Sequence, residues 1–191
     1  MGSTDILLDE IIKLKIQLRG MFLEHFATHE LFSWVWWLLI ALIIIPLAVW
    51  WRFVDKKRLV EIMMFGLLIG LCAVFLDVLG SEMMLWEYPV HVLPQVALLL
   101  PVDFVVLPVI QMGIYQRYSK WKGYIIVSVI AALTQSFVAE PIAAFIGQYK
   151  PISWKYIYSV PIYLVINICV KLFIELVKKR QAAEIDKANP K

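Results

Sequence analysis

Three carboxyl side chains stand inside long apolar runs of this 191-residue chain. Asp77, Asp103 and Glu140 each have mainly aliphatic or aromatic neighbours in the sequence. A carboxyl group held in apolar surroundings can act as a general acid at neutral pH. Ionisable groups at membrane depth are costly, and they usually face a protein interior or a wet cavity. These three acids are therefore the candidate catalytic residues if the protein is an enzyme.

The depths of the three acids follow from the rise of a helix, about 1.5 Å per residue. Asp77 and Glu140 lie about 27 Å and 24 Å from the inner ends of their apolar segments. Asp103 lies about 10 Å from the outer end of its own segment. Because the hydrocarbon core is about 30 Å thick, all three carboxyl groups are expected in the outer third of the bilayer.

Other polar and aromatic side chains are predicted to join this layer. The loop of residues 80–94 follows the segment of Asp77 and carries acids but no lysine or arginine. Tyr163, from the last apolar segment, is expected at a similar depth. The predicted ligand-binding residues are Glu87, Trp86, Tyr88, His91, Gln135 and Tyr158.

A purely structural role is the alternative for these acids. Asp77 could cap a helix end, and Glu140 could bond across helices, with no substrate bound. Closer to the C-terminus, Lys171 and Glu175 stand four residues apart on one helical face and are predicted to form an ion pair. The sequence leaves the structural and functional interpretations open.

The apolar segments that contain the acids indicate the fold class. Hydrophobic residues make up 62% of the chain, whereas a soluble domain would be nearer half apolar. The fold class that we predict is all-α: a polytopic membrane protein with five transmembrane helices plus an N-terminal amphipathic helix. Residues 1–30 form the amphipathic helix, 31–178 the five-helix domain and 179–191 a polar cytoplasmic tail. The predicted spans are residues 34–51, 59–79, 96–115, 124–146 and 156–177.

The amphipathic helix is predicted from residues 4–28, where large aliphatic side chains recur at spacings of four and three. Such a helix could lie on the membrane surface, or it could pack on a partner helix of another protein or of a homo-oligomer. His25 and His29 stand one turn apart, but the HExxH order of zinc-binding helices is absent. No metal site is predicted.

The basic residues indicate the orientation of the chain. Loops 52–58 and 117–122 and the C-terminal tail carry most of the lysines and arginines, whereas loop 80–94 carries none. Cytoplasmic loops of membrane proteins have an excess of basic residues. The chain is therefore predicted to lie in the plasma membrane, with its N-terminus outside and its C-terminus in the cytoplasm.

Several function classes have no motif in this sequence. There is no basic stripe with interleaved aromatics, so nucleic acid is not a predicted partner. There is no P-loop, dinucleotide fingerprint or nucleophile elbow, and no cofactor is predicted. Cys72 and Cys169 both lie in apolar segments and do not indicate a disulfide framework.

A set of short motifs covers most of the predicted transmembrane domain. They are WxxVDKKRL from Trp51, LDxxG from Leu76, LWEYP from Leu85, LPVD from Leu100, YQ from Tyr115, EP from Glu140 and WxxIYxxP from Trp154. In these motifs the chain resembles a family of uncharacterised multi-span proteins of spore-forming Gram-positive bacteria. The resemblance implies a multi-span fold and no established activity.

A fainter likeness is to the membrane-bound lycopene cyclases and related small terpene cyclases. That family has an aspartate, a Gly-x-Trp segment and then a Leu-Pro-x-Glu-Glu motif. The corresponding features here are Asp77, Trp86 and the LPVD run that ends at Asp103. Phe104 stands where that family has its second acid. The resemblance implies protonation of an isoprenoid double bond, with aromatic rings stabilising the carbocation.

Two functions are therefore compatible with the sequence. The first is a non-enzymatic membrane protein whose carboxylate-rich site in the outer leaflet binds a lipid, a small molecule or a membrane partner. The second is an intramembrane enzyme acting on an isoprenoid or a lipid, with Asp103 as general acid tuned by Asp77, Glu87 or Glu140. The first is favoured because no complete catalytic motif is present. The predicted partners are the lipid bilayer and a lipid or isoprenoid ligand.

Overall fold

The structure is a computed structural model that describes residues 3–94 and 99–188. It is 83% helical, which confirms the all-α fold class. The helices are α1 (Ser3–His25), α2 (Trp34–Phe53), α3 (Leu59–Glu82), α4 (Leu107–Arg117), α5 (Trp121–Thr134), α6 (Glu140–Phe145) and α7 (Tyr156–Ala188). The described chain also contains two strands of two residues each, β1 (Trp86–Glu87) and β2 (Lys150–Pro151). Three π-helical turns lie at Phe26–Glu30, Val102–Val106 and Gln135–Ala139, and a 3-10 turn lies at Lys56–Arg58.

The helices of the bundle alternate in direction, and the bundle has two ends. At what we call the basic end, residues 54–58 and 118–120 connect the helices, and the Tyr115 hydroxyl donates to Glu61 across α3 and α4. At what we call the loop end, residues 83–94 and 146–155 connect them. There β1 and β2 pair antiparallel, with Glu87 opposite Lys150. The sequence did not predict this pairing, which joins the two long connections of the loop end.

Four described helical segments are long and apolar enough to cross a membrane. They are Trp34–Phe53, Lys56–Glu82, Trp121–Phe145 and Tyr156–Lys187, and they agree with four of the five predicted spans. The third predicted span, residues 96–115, is not among them. Its described part is helical from residue 100, and polar residues such as Asp103 and Gln111 interrupt its apolar run, while residues 95–98 lie outside the described chain. The fifth crossing therefore stays a prediction.

Two of the π-helical turns precede a proline at the same offset. Pro108 follows the turn Val102–Val106, and Pro141 follows the turn Gln135–Ala139, each by two residues. A proline has no N–H to donate to the carbonyl four residues earlier, so the regular hydrogen-bond ladder cannot pass through it. Insertion of a wider turn is one way in which a helix accommodates this, and such turns are frequent at functional sites. The turns hold Asp103 and Gln135, and Glu140 comes directly after the second.

Helices α3 and α4 pack closely through the glycine pair Gly66 and Gly70 of α3. A Cβ atom added at Gly66 would overlap Met112, and one added at Gly70 would come within 3.3 Å of Pro108. Close helix approach through a GxxxG pair is common in membranes. Beside it, the rings of Phe65 and Tyr115 stack with centroids 4.3 Å apart. This contact fixes the position of the carboxyl groups that α3 and the turn before α4 carry.

The N-terminal helix α1 covers most of the predicted residues 4–28, but its described side chains are nearly all exposed. Whether it lies on a membrane or against a partner stays a prediction. At the other end, the predicted polar tail does not begin a separate element, because α7 continues as a helix to Ala188. Residues 189–191 lie outside the described chain.

Candidate functional site at the loop end of the bundle

Asp77 anchors the loop end to α3. Its Oδ1 accepts hydrogen bonds from Trp86 Nε1 at 2.9 Å and from the Tyr88 hydroxyl at 2.5 Å, and its Oδ2 accepts from the backbone N–H of Leu99 at 3.1 Å. Gly80, one turn further along α3, leaves room for the Trp86 indole, which a Cβ atom at this position would overlap. The carboxyl group of Asp77 therefore has a structural task, because three donors from the following chain converge on it.

Asp103 is connected to Asp77 through Leu99, whose N–H donates to Asp77 Oδ2 and whose carbonyl accepts from the Asp103 N–H at 3.0 Å. Asp103 stands in the π-helical turn before α4 and is buried. Its Oδ2 is buried and has no hydrogen-bond partner among the described residues. This acceptor atom can therefore receive a donor from outside the described chain.

Glu140 is hydrogen-bonded to α7. The Tyr163 hydroxyl of α7 donates to Glu140 Oε1 at 3.0 Å. Glu140 Oε2 is buried and has no partner in the described chain. Like Asp103, Glu140 therefore has one buried acceptor atom that no described donor satisfies.

A row of aromatic rings leads from Asp77 to the surface of the bundle. Trp86 meets Trp154 edge to face with centroids 5.0 Å apart, and Trp154 meets Tyr158 in the same way at 5.5 Å. The Tyr158 side chain is 45% exposed, so this row of rings runs from the buried Asp77 out to the surface. Behind it, Tyr88 and Tyr149 pack together in the loop-end core. Burial raises the pKa of both phenols above the usual range, so both stay protonated at neutral pH.

The remaining predicted ligand-binding residues have other surroundings. Glu87 lies in β1 opposite Lys150, and its Oε1 accepts from the backbone N–H of Tyr88 at 3.1 Å. Gln135 is buried closer to the middle of the bundle, beside a small cavity. His91 is buried against Glu30, to which both its backbone N–H and its ring donate. The contacts of these three residues do not include the carboxyl groups of Asp77, Asp103 or Glu140.

The sequence did not indicate that Glu30 is buried and binds two histidines. It is only 2% exposed, at the end of the turn that follows α1, and it binds the rings of His25 at 2.8 Å and His91 at 3.0 Å. The contact fastens the N-terminal segment to the loop end. In the described residues, no group of three or more His, Cys, Asp or Glu side chains is placed to hold a metal ion.

The two ends of the bundle differ in how their acids are neutralised. At the basic end, Glu61 Oε1 lies 2.8 Å from Arg58 and 2.9 Å from Lys178. The predicted pair of Lys171 and Glu175 is also present, at 3.8 Å. The site acids Asp77, Asp103 and Glu140, by contrast, form no ion pair with any lysine, arginine or histidine of the described chain.

Comparisons with protein-family models, with curated proteins and with solved structures found no match. The resemblances given by the sequence motifs therefore stay expectations.

Proposed function

We propose that this chain is a multi-pass membrane protein that binds an ammonium-bearing ligand at Asp103 and Glu140, without chemistry. The observation that carries the proposal is the lack of any basic partner for these acids among the described residues. Holding an unpaired carboxylate away from water costs several kcal/mol. A site of this kind gains free energy when a positive charge or a proton donor enters from outside.

The orphaned atoms and the rings select an ammonium group. Asp103 Oδ2 and Glu140 Oε2 are buried acceptors without partners among the described residues, and an ammonium group donates up to three hydrogen bonds. Aromatic faces attract cations, and Trp86, Trp154 and Tyr158 form a row beside the acids. Because Tyr158 is exposed, the row offers a path from the bilayer to the carboxyl groups.

The sizes of the cavities favour entry of the ammonium group alone rather than of a whole lipid. Two open grooves of about 570 and 560 Å³ lie along α4–α5 and along the C-terminal part of α7, at the basic end. The cavity that reaches Tyr163, the partner of Glu140, has only about 20 Å³. Pockets for drug-sized molecules measure about 300–1,000 Å³. The ligand class is therefore a lipid amine headgroup, as in phosphatidylethanolamine, or a free small amine.

The isoprenoid enzyme stays a prediction that this geometry favours less. General-acid chemistry on an isoprenoid needs an apolar pocket of several hundred Å³ beside the acid. The carboxyl group of Asp77 is instead occupied by hydrogen bonds from Trp86, Tyr88 and Leu99. A chemically altered isoprenoid, found in lipid extracts of the wild type and not of Asp103→Asn, would support the enzyme over this proposal.

Native mass spectrometry of the detergent-purified protein tests the proposal with two named lipids. We expect phosphatidylethanolamine to stay bound under conditions that remove phosphatidylglycerol. Loss of a charge-assisted hydrogen bond costs about 1.5–3 kcal/mol, so Glu140→Gln and Asp103→Asn should each weaken phosphatidylethanolamine binding about tenfold or more. The matched control is Glu82→Gln, which removes an exposed carboxylate of the same end of the bundle.

The same experiment separates the two sources of the ammonium group. Free ethanolamine that competes at the same concentration as the lipid would assign the site to a small amine. Equal retention of the two lipids, together with no competition by ethanolamine, would overturn the proposal. So would unchanged phosphatidylethanolamine binding by Glu140→Gln and Asp103→Asn.

A further inference from the structure

Helix α1 buries very little of its surface against the rest of the described chain. From Ile6 to Leu23, every residue except Phe22 is exposed. The segment is fastened to the loop end only after α1 has ended, where Glu30 accepts hydrogen bonds from His91. A helix in a protein gains most of its stability from the packing of an apolar face rather than from propensity. Helix α1 therefore presents a free face on which another structure can pack.

One side of α1 carries an unbroken apolar stripe. Its members follow one another at spacings of four, three, four and three residues: Leu7, Ile11, Leu14, Leu18 and Met21. Their side chains are between 42% and 68% exposed. Alternating spacings of four and three average 3.5 residues, and this repeat keeps a stripe facing the partner helix in a left-handed coiled coil. The stripe is about 21 Å long at 1.5 Å per residue.

The residue types of the stripe fit the core of a two-stranded coiled coil. In the heptad notation abcdefg, the core positions are a and d. Position d holds Leu7, Leu14 and Met21, and position a holds Ile11 and Leu18. A β-branched residue at a with leucine at d favours two parallel strands. The pattern ends at His25, the next a position, where the regular helix also ends.

The charged residues beside the stripe favour a second copy of this chain in parallel orientation. Glu10 takes position g and Lys15 takes the following position e, and neither forms an ion pair with a described residue. In a parallel pair, g contacts the e position five residues further along the other helix, so Glu10 of each copy meets Lys15 of the other. An antiparallel pair would instead bring Lys15 toward Lys15 and Glu10 toward Glu24.

The bilayer surface is the competing occupant of this stripe, and the charges of α1 oppose it. Helices that lie on a membrane are typically rich in lysine and arginine on the polar face, which attracts anionic lipids. The polar side of α1 carries Asp9, Glu10 and Glu24 against the single base Lys13. Anionic headgroups repel a face of this sign. The charge pattern therefore fits a helical partner better than a membrane surface.

We propose that α1 joins two copies of this chain through a parallel coiled coil of residues 7–21. Two copies inserted in the same way in one membrane are related by a two-fold axis along the membrane normal, and two α1 helices that stand along this axis run parallel. Confinement to one membrane raises the effective concentration of the copies, so a coil of about two heptads suffices. The inference does not depend on the proposed amine site, to which α1 contributes no residue.

Disulfide cross-linking of the full chain in isolated membranes tests the interface, with Cys72 and Cys169 replaced by alanine. Leu14 at position d and Ile16 at position f are 60% and 64% exposed, so cysteines at the two positions are equally accessible in a single copy. We expect a mild oxidant to link Leu14→Cys into dimers, and Ile16→Cys at about a tenth of that rate or less, because position f points away from the partner helix. Equal rates at the two positions, or no dimer of Leu14→Cys, would overturn the proposal.

Charge reversal tests the parallel orientation. Energy transfer between labelled copies in lipid vesicles, measured as the protein is diluted with lipid, gives the dimerisation constant. Glu10→Lys and Lys15→Glu each place like charges at both g–e contacts and should each weaken the dimer about fivefold. The double variant restores opposite charges, keeps the net charge of the wild type and should regain its affinity. Single variants that dimerise as tightly as the wild type, or a double variant that stays weak, would contradict a parallel coil.

Leu14→Ser and Ile16→Ser complete the test and separate it from the proposed function. Two leucines per dimer lose their burial in Leu14→Ser, so the dimer should weaken about a hundredfold, whereas Ile16→Ser should dimerise like the wild type. Equal weakening by the two variants would show a general effect of apolarity and overturn the coiled coil. Both variants should still retain phosphatidylethanolamine, which confirms a folded bundle. Loss of that lipid from the wild type itself would reject the amine site and leave the result on the dimer unchanged.

Discussion

At the scale of single residues, Tyr88 shows how one hydroxyl ties the loop end to the bundle. It donates to Asp77 Oδ1 at 2.5 Å, and removal of such a buried partner costs about 1–3 kcal/mol. We therefore expect Tyr88→Phe to lower the free energy of unfolding by that amount, as measured by denaturant unfolding in detergent. Burial, and then the nearby Asp77, raise the pKa of Tyr88 above its usual 10. Its protonated form is favoured by folding, so this contribution is complete below pH 10 and declines as the pH rises further.

Tyr149→Phe is the matched control for that variant. The Tyr149 ring is buried 5.9 Å from the ring of Tyr88, but its hydroxyl makes no hydrogen bond to a described residue. The same deletion of an oxygen atom should therefore cost less at this position. Equal losses of stability in the two variants would contradict the role given to the bond between Tyr88 and Asp77.

The acids of the site could be predicted from the sequence, but the environment of Glu30 could not. An acid inside an apolar run is conspicuous, because burial without a partner is costly. Glu30 stands in a segment of mixed charge, where a surface position is the ordinary expectation. Its partner His91 lies 61 residues further along the chain and reaches it only in the folded bundle. A contact between residues so far apart along the chain leaves no pattern in the sequence around either residue.

At the scale of elements, the same substitution at two glycines of the bundle is expected to change the free energy of unfolding in opposite directions. Gly80→Ala should lower the free energy of unfolding by about 1–3 kcal/mol, because the new Cβ atom overlaps the Trp86 indole and forces α3 and β1 apart. Gly113→Ala, in α4, meets no atom within 4 Å and should raise it by about 0.5–1 kcal/mol through helix propensity. Unfolding in the same detergent measures both. A destabilised Gly113→Ala, or an unchanged Gly80→Ala, would refute the packing described here.

The length and type of the helices were predictable, whereas their irregular turns were predictable only in part. Apolar runs of 18 or more residues gave four spans close to their observed bounds. A proline cannot donate a backbone hydrogen bond, so Pro108 and Pro141 mark places where a regular helix is interrupted. Their positions do not indicate that each follows a π-helical turn with a buried polar side chain. The pairing of β1 with β2 had no signal at all, because two-residue strands are too short to show a period.

At the scale of the whole molecule, the antiparallel order of the helices makes a prediction about sidedness. Residue 82 is exposed at the loop end and residue 122 at the basic end, with the third predicted span between them. Four of the five predicted spans meet the length and hydropathy expected of a crossing helix, so the position of these two residues decides whether the chain crosses a fifth time. Single cysteines at these positions, in a chain with Cys72 and Cys169 replaced by alanine, can be labelled with a membrane-impermeant maleimide.

We expect intact cells to label Glu82→Cys at once and Lys122→Cys only after permeabilisation, because the loop end carries few basic residues and the basic end carries many. Glu10→Cys in α1 and Gln181→Cys in α7 extend the test to the two termini, which five crossings place on opposite sides. The reverse pattern would keep the five crossings and invert the orientation. Labelling of positions 82 and 122 from the same side would instead remove the third span from the membrane.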